Sequence, residues 1–128
     1  MLNYLFIGMG GFLGALARYL VMRYIGEIST ENFPWPTLAV NVLGAIILGV
    51  ILEYMIYHRE VAAEWRSFLV IGFLGALTTF STFTMDALLL LEREQFITAF
   101  VYMAGSCLSC LGAMFLAMRI CRSLFIPF

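Results

Sequence analysis

Long apolar stretches alternate with short polar segments along the whole chain. Each apolar stretch exceeds the roughly 20 residues that a helix needs to cross the hydrocarbon core of a bilayer. The polar segments "GEISTENFPWP", "HREVAAEW" and "EREQ" carry most of the acidic residues and are predicted to be loops. The pattern predicts an all-α membrane protein, a single domain over residues 1–128 with four transmembrane helices at about 4–25, 36–57, 68–91 and 96–118.

The composition excludes a soluble domain. Hydrophobic residues make up 63% of the 128 residues and charged residues only 12%, with a mean hydropathy of +1.00. Soluble proteins carry about 25% charged residues, so we expect this chain to be surrounded by membrane lipid. No nucleic-acid partner is expected from a chain with no lysine and a net charge of −1. The sequence has no zinc-ligand spacing and no phosphate-binding loop, and we do not expect an enzyme.

The arginines barely favour one orientation in the membrane. With four spans, the N-terminus, the second loop and the C-terminus share one side, which holds four arginines against two on the other side. This weak bias leaves two interpretations open: a fixed orientation with both termini in the cytoplasm, or insertion in both orientations. The four are Arg59, Arg66, Arg119 and Arg122, and the two are Arg23 and Arg93.

Three cysteines occur, and the sequence "CLSC" gives Cys107 and Cys110 the spacing of redox pairs. This sequence lies inside a predicted apolar span, where thiols behave as small buried hydrophobic groups. We therefore favour a structural role for these cysteines, and a redox pair is the alternative.

Small residues recur at helical spacing in the first and fourth predicted helices. Gly10 and Gly14 are four residues apart in "GMGGFLGALARY", and such stripes allow membrane helices to approach closely. Part of this packing must lie within the four-helix bundle, but we also predict a homodimer. The stripe in the fourth helix consists of Gly105, Ser109, Ala113 and Ala117.

Few polar residues lie within the predicted spans, and polar groups at this depth usually face a cavity, a partner or an ion path. On the fourth helix, Tyr102, Ser106 and Ser109 are spaced i, i+4 and i+7, which is one face. We predict that they form a polar track along the helix. The alternative is that each hydroxyl bonds the carbonyl one turn back. The other polar residues of the spans include Arg18, Asn41 and the hydroxyl cluster Thr78, Thr79, Ser81 and Thr82.

The stretch "GALTTFSTF", residues 75–83, predicts that the third helix is broken near mid-membrane. Gly75 permits backbone conformations that other residues resist, and the four hydroxyls compete for the backbone hydrogen bonds of the helix. Phe80 and Phe83, three residues apart, share one face. Because the edge of an aromatic ring is electron-poor, such rings offer an anion weak positive charge.

The inventory of polar groups favours a small anion as the transported species. The spans hold no carboxylate near their middle, because Glu53 and Asp86 lie toward span ends, where interfacial or pairing roles are expected. Hydroxyls, an amide, aromatic edges and the guanidinium of Arg18 remain, and these groups are donors. A bare anion in hydrocarbon would face tens of kcal/mol by Born estimates, so many modest donors must replace its water.

Three motifs identify a resemblance that covers all four predicted helices. The segments "GGFLGALARY" (10–19), "TLAVN" (37–41) and "GFLGALTTFSTF" (72–83) closely resemble the Fluc/CrcB fluoride channels. The resemblance implies an antiparallel homodimer that inserts in both orientations in a bacterial-type inner (plasma) membrane. It further implies two passive, fluoride-selective pores that export cytoplasmic fluoride down its electrochemical gradient. The residues matching the fluoride pathway are Asn41, Phe80, Phe83, Ser81, Thr82, Tyr102 and Ser106, with Ser109 as a further candidate at the far end of the track.

The resemblance also implies a structural sodium ion at the centre of the dimer, held by backbone carbonyls at Gly75 and Thr78. The arginine matching Arg18 is expected near an aqueous vestibule, where it attracts anions. The sequence departs from the family pattern at Ala76, where a second glycine is common, and at Cys110, where a serine is common.

Two alternatives belong to other functional classes. A small drug/proton antiporter has a similar size, but it needs a carboxylate in the middle of the first helix, where this chain has none. A non-transporting membrane scaffold or redox subunit would use only the glycine stripes or "CLSC".

Overall fold

The computed structural model describes residues 1–29, 33–58 and 61–125, with the backbone alone at residue 125, and the regular elements in these ranges are helical. They are α1 (Leu2–Ile28), α2 (Trp35–Tyr57), α3 (Ala63–Arg66), a π-helical segment (Ser67–Leu74), α4 (Gly75–Leu77), α5 (Phe80–Glu92) and α6 (Phe96–Phe125). Arg59, one of the four arginines predicted on the same side of the membrane as the termini, lies outside the described residues.

Four stretches of the described chain are long and apolar enough to cross a membrane. Each contains one of the four predicted spans, and the prediction of an all-α protein with four membrane-spanning helices is confirmed. The stretches are Leu2–Ile28, Trp35–Tyr57, Ala63–Glu92 and Phe96–Leu124.

The glycines of α1 bring its backbone against the π-helical segment. A Cβ atom at Gly10 would collide with the carbonyl oxygen of Phe68, and one at Gly14 with the carbonyl oxygen of Phe73. Both glycines are buried. The stripe of small residues in α1 is therefore used within the chain, as close backbone packing between membrane helices requires.

α2 packs along α6, and small residues again set the distance between the two helices. A Cβ atom at Gly49 would lie 2.8 Å from the carbonyl oxygen of Met114 and 3.1 Å from the Cβ of Ala117. A Cβ at Gly105, in contrast, would meet no atom within 4 Å. The C-terminal part of the α6 stripe thus packs inside the bundle, and Gly105 lies on its open surface.

An ion pair joins the same two helices near their ends. Glu53 of α2 is 4% exposed, and its two carboxylate oxygens accept from Nε and Nη2 of Arg122 at 2.8 and 3.2 Å. This two-point geometry satisfies both oxygens of the buried carboxylate. Of the two roles expected for Glu53, pairing is the one observed.

The third membrane-spanning stretch is interrupted between α4 and α5. Thr78 and Thr79 are both extended, with φ/ψ of −77/156° and −148/117°. Gly75 has φ/ψ of −61/−32°, which is ordinary right-handed helix. The expectation that Gly75 supplies the unusual backbone conformation is therefore wrong. The interruption lies three residues later, at the hydroxyl-bearing residues.

Candidate functional site

Threonine hydroxyls form hydrogen bonds with the backbone where the helix is interrupted. The hydroxyl of Thr78 donates to the carbonyl of Leu74 at 2.9 Å. Thr79 is the N-cap of α5, and its Oγ1 accepts from the backbone N–H of Thr82 at 3.2 Å and donates to the Thr82 hydroxyl at 2.9 Å. The Thr79 hydroxyl thus takes the place of a backbone carbonyl, which is the competition that the sequence predicts. The Thr78 hydroxyl, in contrast, shares the Leu74 carbonyl with the backbone N–H of Thr78, which bonds it at 3.0 Å.

Asn41 of α2 satisfies the backbone of Thr79 from the side. Its Nδ2 donates to the Thr79 carbonyl at 3.0 Å, and the Thr79 N–H donates to its Oδ1 at 2.8 Å. A primary amide carries two N–H donors, and one of them is used here. The hydrogen bonds between described residues use only one N–H of Asn41.

Two backbone amides at the interruption are turned away from the carbonyls that they would bond in a continuous helix. The Thr79 amide donates to Asn41 instead of the carbonyl of Gly75 one turn back. The Thr82 amide donates to the Thr79 hydroxyl instead of the carbonyl of Thr78. Within the described ranges, no group of three or more His, Cys, Asp or Glu side chains could hold a metal ion. Oxygen ligands for a cation would therefore come from such carbonyls.

A cavity of about 260 Å³ opens beside the interruption, and we name it the Phe80 cavity. Its wall contains both polar groups and aromatic rings, and none of its lining residues is Asp, Glu, Lys or Arg. Its lining residues are Asn41, Thr78, Thr79, Phe80, Phe83, Ser106, Cys107 and Cys110.

Three aromatic rings follow one another from the surface into the bundle. The ring centroids of Phe80 and Phe83 are 5.4 Å apart, and those of Phe83 and Tyr102 are 5.2 Å apart, with tilted planes in both pairs. Phe80 is 77% exposed in the single chain, whereas Tyr102 is fully buried. The two phenylalanines thus share one face, as their spacing predicts.

Ser106 is the buried polar group of the Phe80 cavity that lacks a partner. It is 5% exposed, and no described residue forms a hydrogen bond with its hydroxyl. A buried hydroxyl without a partner costs free energy, which a ligand that accepts its hydrogen bond would recover. The cavity therefore offers a hydroxyl and an amide N–H to an acceptor.

Asp86 forms a polar cluster that the sequence analysis did not predict. Its Oδ2 accepts from the hydroxyl of Thr37 at 2.6 Å and from the hydroxyl of Tyr102 at 3.3 Å. Thr37 lies four residues before Asn41, and Thr82 lies four residues before Asp86, so each pair shares one face of its helix. These two polar faces could have indicated that the helices meet in a polar cluster. Asp86 therefore has hydrogen-bond partners within the bundle. Of the interfacial and pairing roles expected for Asp86, this is the pairing role.

A second cavity, of about 340 Å³, adjoins this cluster, and we name it the Asp86 cavity. Thr82 lines it together with Thr37, Asp86 and Arg93. Thr82, which the CrcB resemblance assigns to the fluoride pathway, therefore lines the Asp86 cavity and not the Phe80 cavity.

Residues 5–118 match the family model described as "CrcB-like protein, Camphor Resistance (CrcB)". The chain belongs to the CrcB family. A relative from Geobacter metallireducens is 43% identical over 97% of this chain and 100% of its own length. A relative from Hahella chejuensis is 41% identical over 84% and 85%, and one from Agrobacterium fabrum is 37% identical over 98% and 100%. All three are named "Fluoride-specific ion channel FluC".

Membership of the CrcB family fits the four membrane-spanning helices of the chain. The chain is a multi-pass integral membrane protein of the bacterial plasma membrane. The structure brings together four of the residues that the CrcB resemblance assigns to the fluoride pathway, because Asn41, Phe80, Phe83 and Ser106 line one cavity.

Other residues assigned by that resemblance lie outside the Phe80 cavity. The hydroxyl of Ser109 donates to the carbonyl of Ser106 at 3.2 Å, so this side chain bonds its own helix. Ser81 is exposed, with its Oγ 3.3 Å from Oγ1 of Thr79. Arg18 is half-buried on α1 and lines neither cavity. Tyr102 contacts Phe83 but directs its hydroxyl to Asp86.

Proposed function

We propose that this chain forms a passive, fluoride-selective anion channel that exports cytoplasmic fluoride and lowers its toxicity. The names of the relatives support fluoride as the transported ion, since the relatives match almost the whole chain. The single observation that carries the proposal is the unpaired, buried hydroxyl of Ser106 in a cavity that also contains Asn41 and two aromatic rings.

The donors of the Phe80 cavity replace part of the water of the anion. The hydroxyl of Ser106 donates to fluoride, and so does the second N–H of Asn41, whose first N–H is held by the carbonyl of Thr79. A neutral donor stabilises an anion less than a buried guanidinium does, because the guanidinium adds a full positive charge to its hydrogen bonds. The anion therefore enters this cavity at a tolerable cost and also leaves it, as conduction requires.

The two phenylalanine rings extend this environment along the path. An aromatic edge carries partial positive charge and attracts an anion in the plane of the ring. Phe80 and Phe83 lie 5.4 Å apart and line the same cavity as Asn41. An anion that moves between them exchanges one weak contact for another and meets no deep energy well.

The membrane potential supplies the driving force. Hydrogen fluoride crosses membranes as a neutral weak acid and dissociates inside, so fluoride accumulates in the cytoplasm. A negative-inside potential expels a monovalent anion with about 2.3 kcal/mol per 100 mV. A passive pore is therefore sufficient for export.

The functional unit is an antiparallel homodimer with two pores. Phe80 is 77% exposed in the single chain, and Gly75 of the interrupted helix is also on the surface. A second copy would cover both residues and enclose the Phe80 cavity. The weak arginine bias of the sequence supports insertion in both orientations, which an antiparallel dimer needs.

A sodium ion is proposed to join the two interrupted helices at the centre of the dimer. The donor set fits, because sodium is a hard cation that prefers oxygen ligands, as other hard cations do, and the amides that would occupy the carbonyls of Gly75 and Thr78 donate elsewhere. When bound, the ion supplies a fixed positive charge that stabilises these carbonyls. The protein contributes the two carbonyls of each chain.

Growth on fluoride tests the proposed function in cells. A bacterial strain that lacks its own fluoride exporters should tolerate fluoride when it expresses this chain, and should remain sensitive when it expresses Phe83→Ile at the same level. Fluoride sensitivity that the wild-type chain does not relieve, at a verified level in the membrane, would count against the proposal. Relief that requires a proton gradient would favour a proton-coupled exporter.

A further inference from the structure

Two thiols lie in the wall of the Phe80 cavity. Cys107 and Cys110 of α6 line it together with Asn41 and Ser106. Both are free thiols, Cys107 on the surface and Cys110 half-buried. The third cysteine, Cys121, is buried and lines a different cavity near the C-terminal end of α6. Cys107 and Cys110 therefore form a pair of thiols in one cavity, and the separate thiol of Cys121 serves as a control.

The spacing of the pair suits a metal ion with two ligands. Residues three apart on a helix share one face, with Cβ atoms about 5–6 Å apart. A bond from a thiolate to a d¹⁰ metal such as zinc is about 2.3 Å long. Two such bonds in line place the two sulfur atoms roughly 4.6 Å apart, which is close to the separation of the two Cβ atoms. Zinc itself takes four ligands, and the described residues contain no group of three or more ligating side chains. Two thiolates alone instead favour a soft cation of low coordination number.

Ser106, the donor assigned to the anion, adjoins the two thiols in the wall of the same cavity. It precedes Cys107 in the chain and lies one helical turn before Cys110. Its side chain is 95% buried, and no described residue forms a hydrogen bond with its hydroxyl. The cavity measures about 260 Å³, which accommodates a single bare metal ion.

We propose that Cys107 and Cys110 form a two-thiolate site for a soft d¹⁰ cation, of the class of Cu⁺, Ag⁺ and Hg²⁺, in the wall of the anion pathway. Each thiol releases its proton to water, and each sulfur lone pair forms a bond to the metal. With Hg²⁺, two thiols and one cation give one neutral dithiolate and two protons. No oxidant or reductant takes part.

Occupation of this site obstructs the pathway. The metal takes up space beside Asn41 and Phe80, and a soft cation held by two thiolates has little affinity for the hard fluoride ion. Transport through the channel thus becomes sensitive to thiophilic metals. This effect on transport rests on the proposed function, whereas metal binding by the two thiols does not.

Mercury binding to the purified full-length protein tests the site directly. Intact-mass spectrometry with one equivalent of Hg²⁺ should show one mercury gained and two protons lost per chain. Cys121→Ser should behave in the same way. Cys107→Ser and Cys110→Ser should each weaken binding by about tenfold or more, since loss of one ligand removes the chelate. In the Cys107→Ser/Cys110→Ser double variant, Cys121 alone can bind mercury with the loss of only one proton. Mercury bound with two protons lost in that variant would overturn the site.

Fluoride efflux from liposomes, measured with and without Hg²⁺, tests its position on the pathway. In the presence of Hg²⁺, the rate of fluoride efflux should fall by about tenfold or more for wild type and for Cys121→Ser. An excess of dithiothreitol should restore the rate. The double variant should retain its own metal-free rate. Mercury bound at the pair without an effect on efflux would overturn the position. Absence of efflux before mercury is added would count against the proposed function, and the mass shift would still report on the site.

Discussion

The carboxamide of Asn41 pairs with both backbone polar groups of Thr79, as donor at 3.0 Å and as acceptor at 2.8 Å. The extended residue that interrupts the third helix thus finds in α2 the partners that its own helix does not provide. Because buried backbone groups must be satisfied within a membrane, this pair stabilises the interruption. The same contact orients the amide at the Phe80 cavity.

Asn41→Asp should impair both stability and transport. The change replaces the Nδ2 donor by an oxygen that faces the carbonyl of Thr79, which costs about 1–3 kcal/mol for an unsatisfied buried group. It also places a negative charge beside the proposed path of an anion. We expect fluoride efflux from liposomes to fall by about tenfold or more. Asn3→Asp, the same change at an exposed position, is the control. Wild-type efflux in Asn41→Asp would remove Asn41 from the pathway.

Phe80→Ile and Phe83→Ile should each abolish most fluoride efflux while the dimer remains intact. An isoleucine keeps an apolar surface but lacks the electron-poor ring edge. Because Phe83 packs on both Phe80 and Tyr102, Phe83→Ile should lower stability more than Phe80→Ile, by about 0.5–1.5 kcal/mol. Phe12→Ile on the exposed face of α1 is the control. Undiminished efflux from both ring variants would show that the rings take no part.

Thr37→Val should destabilise the protein more than Tyr102→Phe. The bond from Thr37 to Asp86 is 2.6 Å long, whereas that from Tyr102 is 3.3 Å long. Hydrogen bonds to a charged partner contribute about 1.5–3 kcal/mol, and a long bond contributes less. Thermal denaturation in detergent measures the difference. Thr84→Val, which loses only an exposed bond to the carbonyl of Phe80, is the control. The reverse order of stability would contradict the assigned cluster.

Gly14→Ala should destabilise the fold, and Gly11→Ala should not. A Cβ atom at Gly14 collides with the backbone of Phe73, whereas one at Gly11 meets no atom within 4 Å. Overpacking of this kind costs about 1–3 kcal/mol, and alanine is otherwise better than glycine within a helix by roughly 0.5–1 kcal/mol. Thermal denaturation of the two variants in the same detergent should therefore give opposite shifts. Equal shifts would contradict the close packing of α1 on the π-helical segment.

Arg122→Gln should lower the melting temperature more than the double variant Glu53→Gln/Arg122→Gln. The single change leaves the buried carboxylate of Glu53 without its cation, whereas the double change removes both charges. Arg23→Gln breaks a pair with Glu27 that is exposed on both sides, and it should have little effect. A double variant that is less stable than Arg122→Gln would contradict the unpaired buried carboxylate as the cause of the destabilisation.

The membrane-spanning helices could be predicted from the sequence. The thickness of the bilayer requires about 20 consecutive apolar residues in each spanning helix, and such stretches are visible in the sequence. The grouping of Asn41 with Phe80 and Phe83 in one cavity also followed from the motifs. The interruption lies within the predicted stretch 75–83, but the residues at which it occurs could not be predicted. Gly75 can adopt many conformations, but its neighbours keep it helical, and the hydrogen bonds of Thr79 decide where the helix stops.

Contacts between helices account for the other differences. Spacing alone cannot tell a serine that bonds its own helix, such as Ser109, from one that faces a cavity, such as Ser106. Nor does it tell whether Gly14 packs on its own chain or on a second copy. Asp86 lies toward a span end in the sequence, and only the fold brings Thr37 and Tyr102 to it.

We propose that neutral donors and aromatic edges carry fluoride across the membrane, without a buried cation at the Phe80 cavity. Ion-selective electrodes can follow fluoride and chloride release together from liposomes that contain the purified wild-type protein. The account predicts rapid fluoride release with chloride retained. Vesicles that retain fluoride, or that release chloride as readily as fluoride, would contradict it.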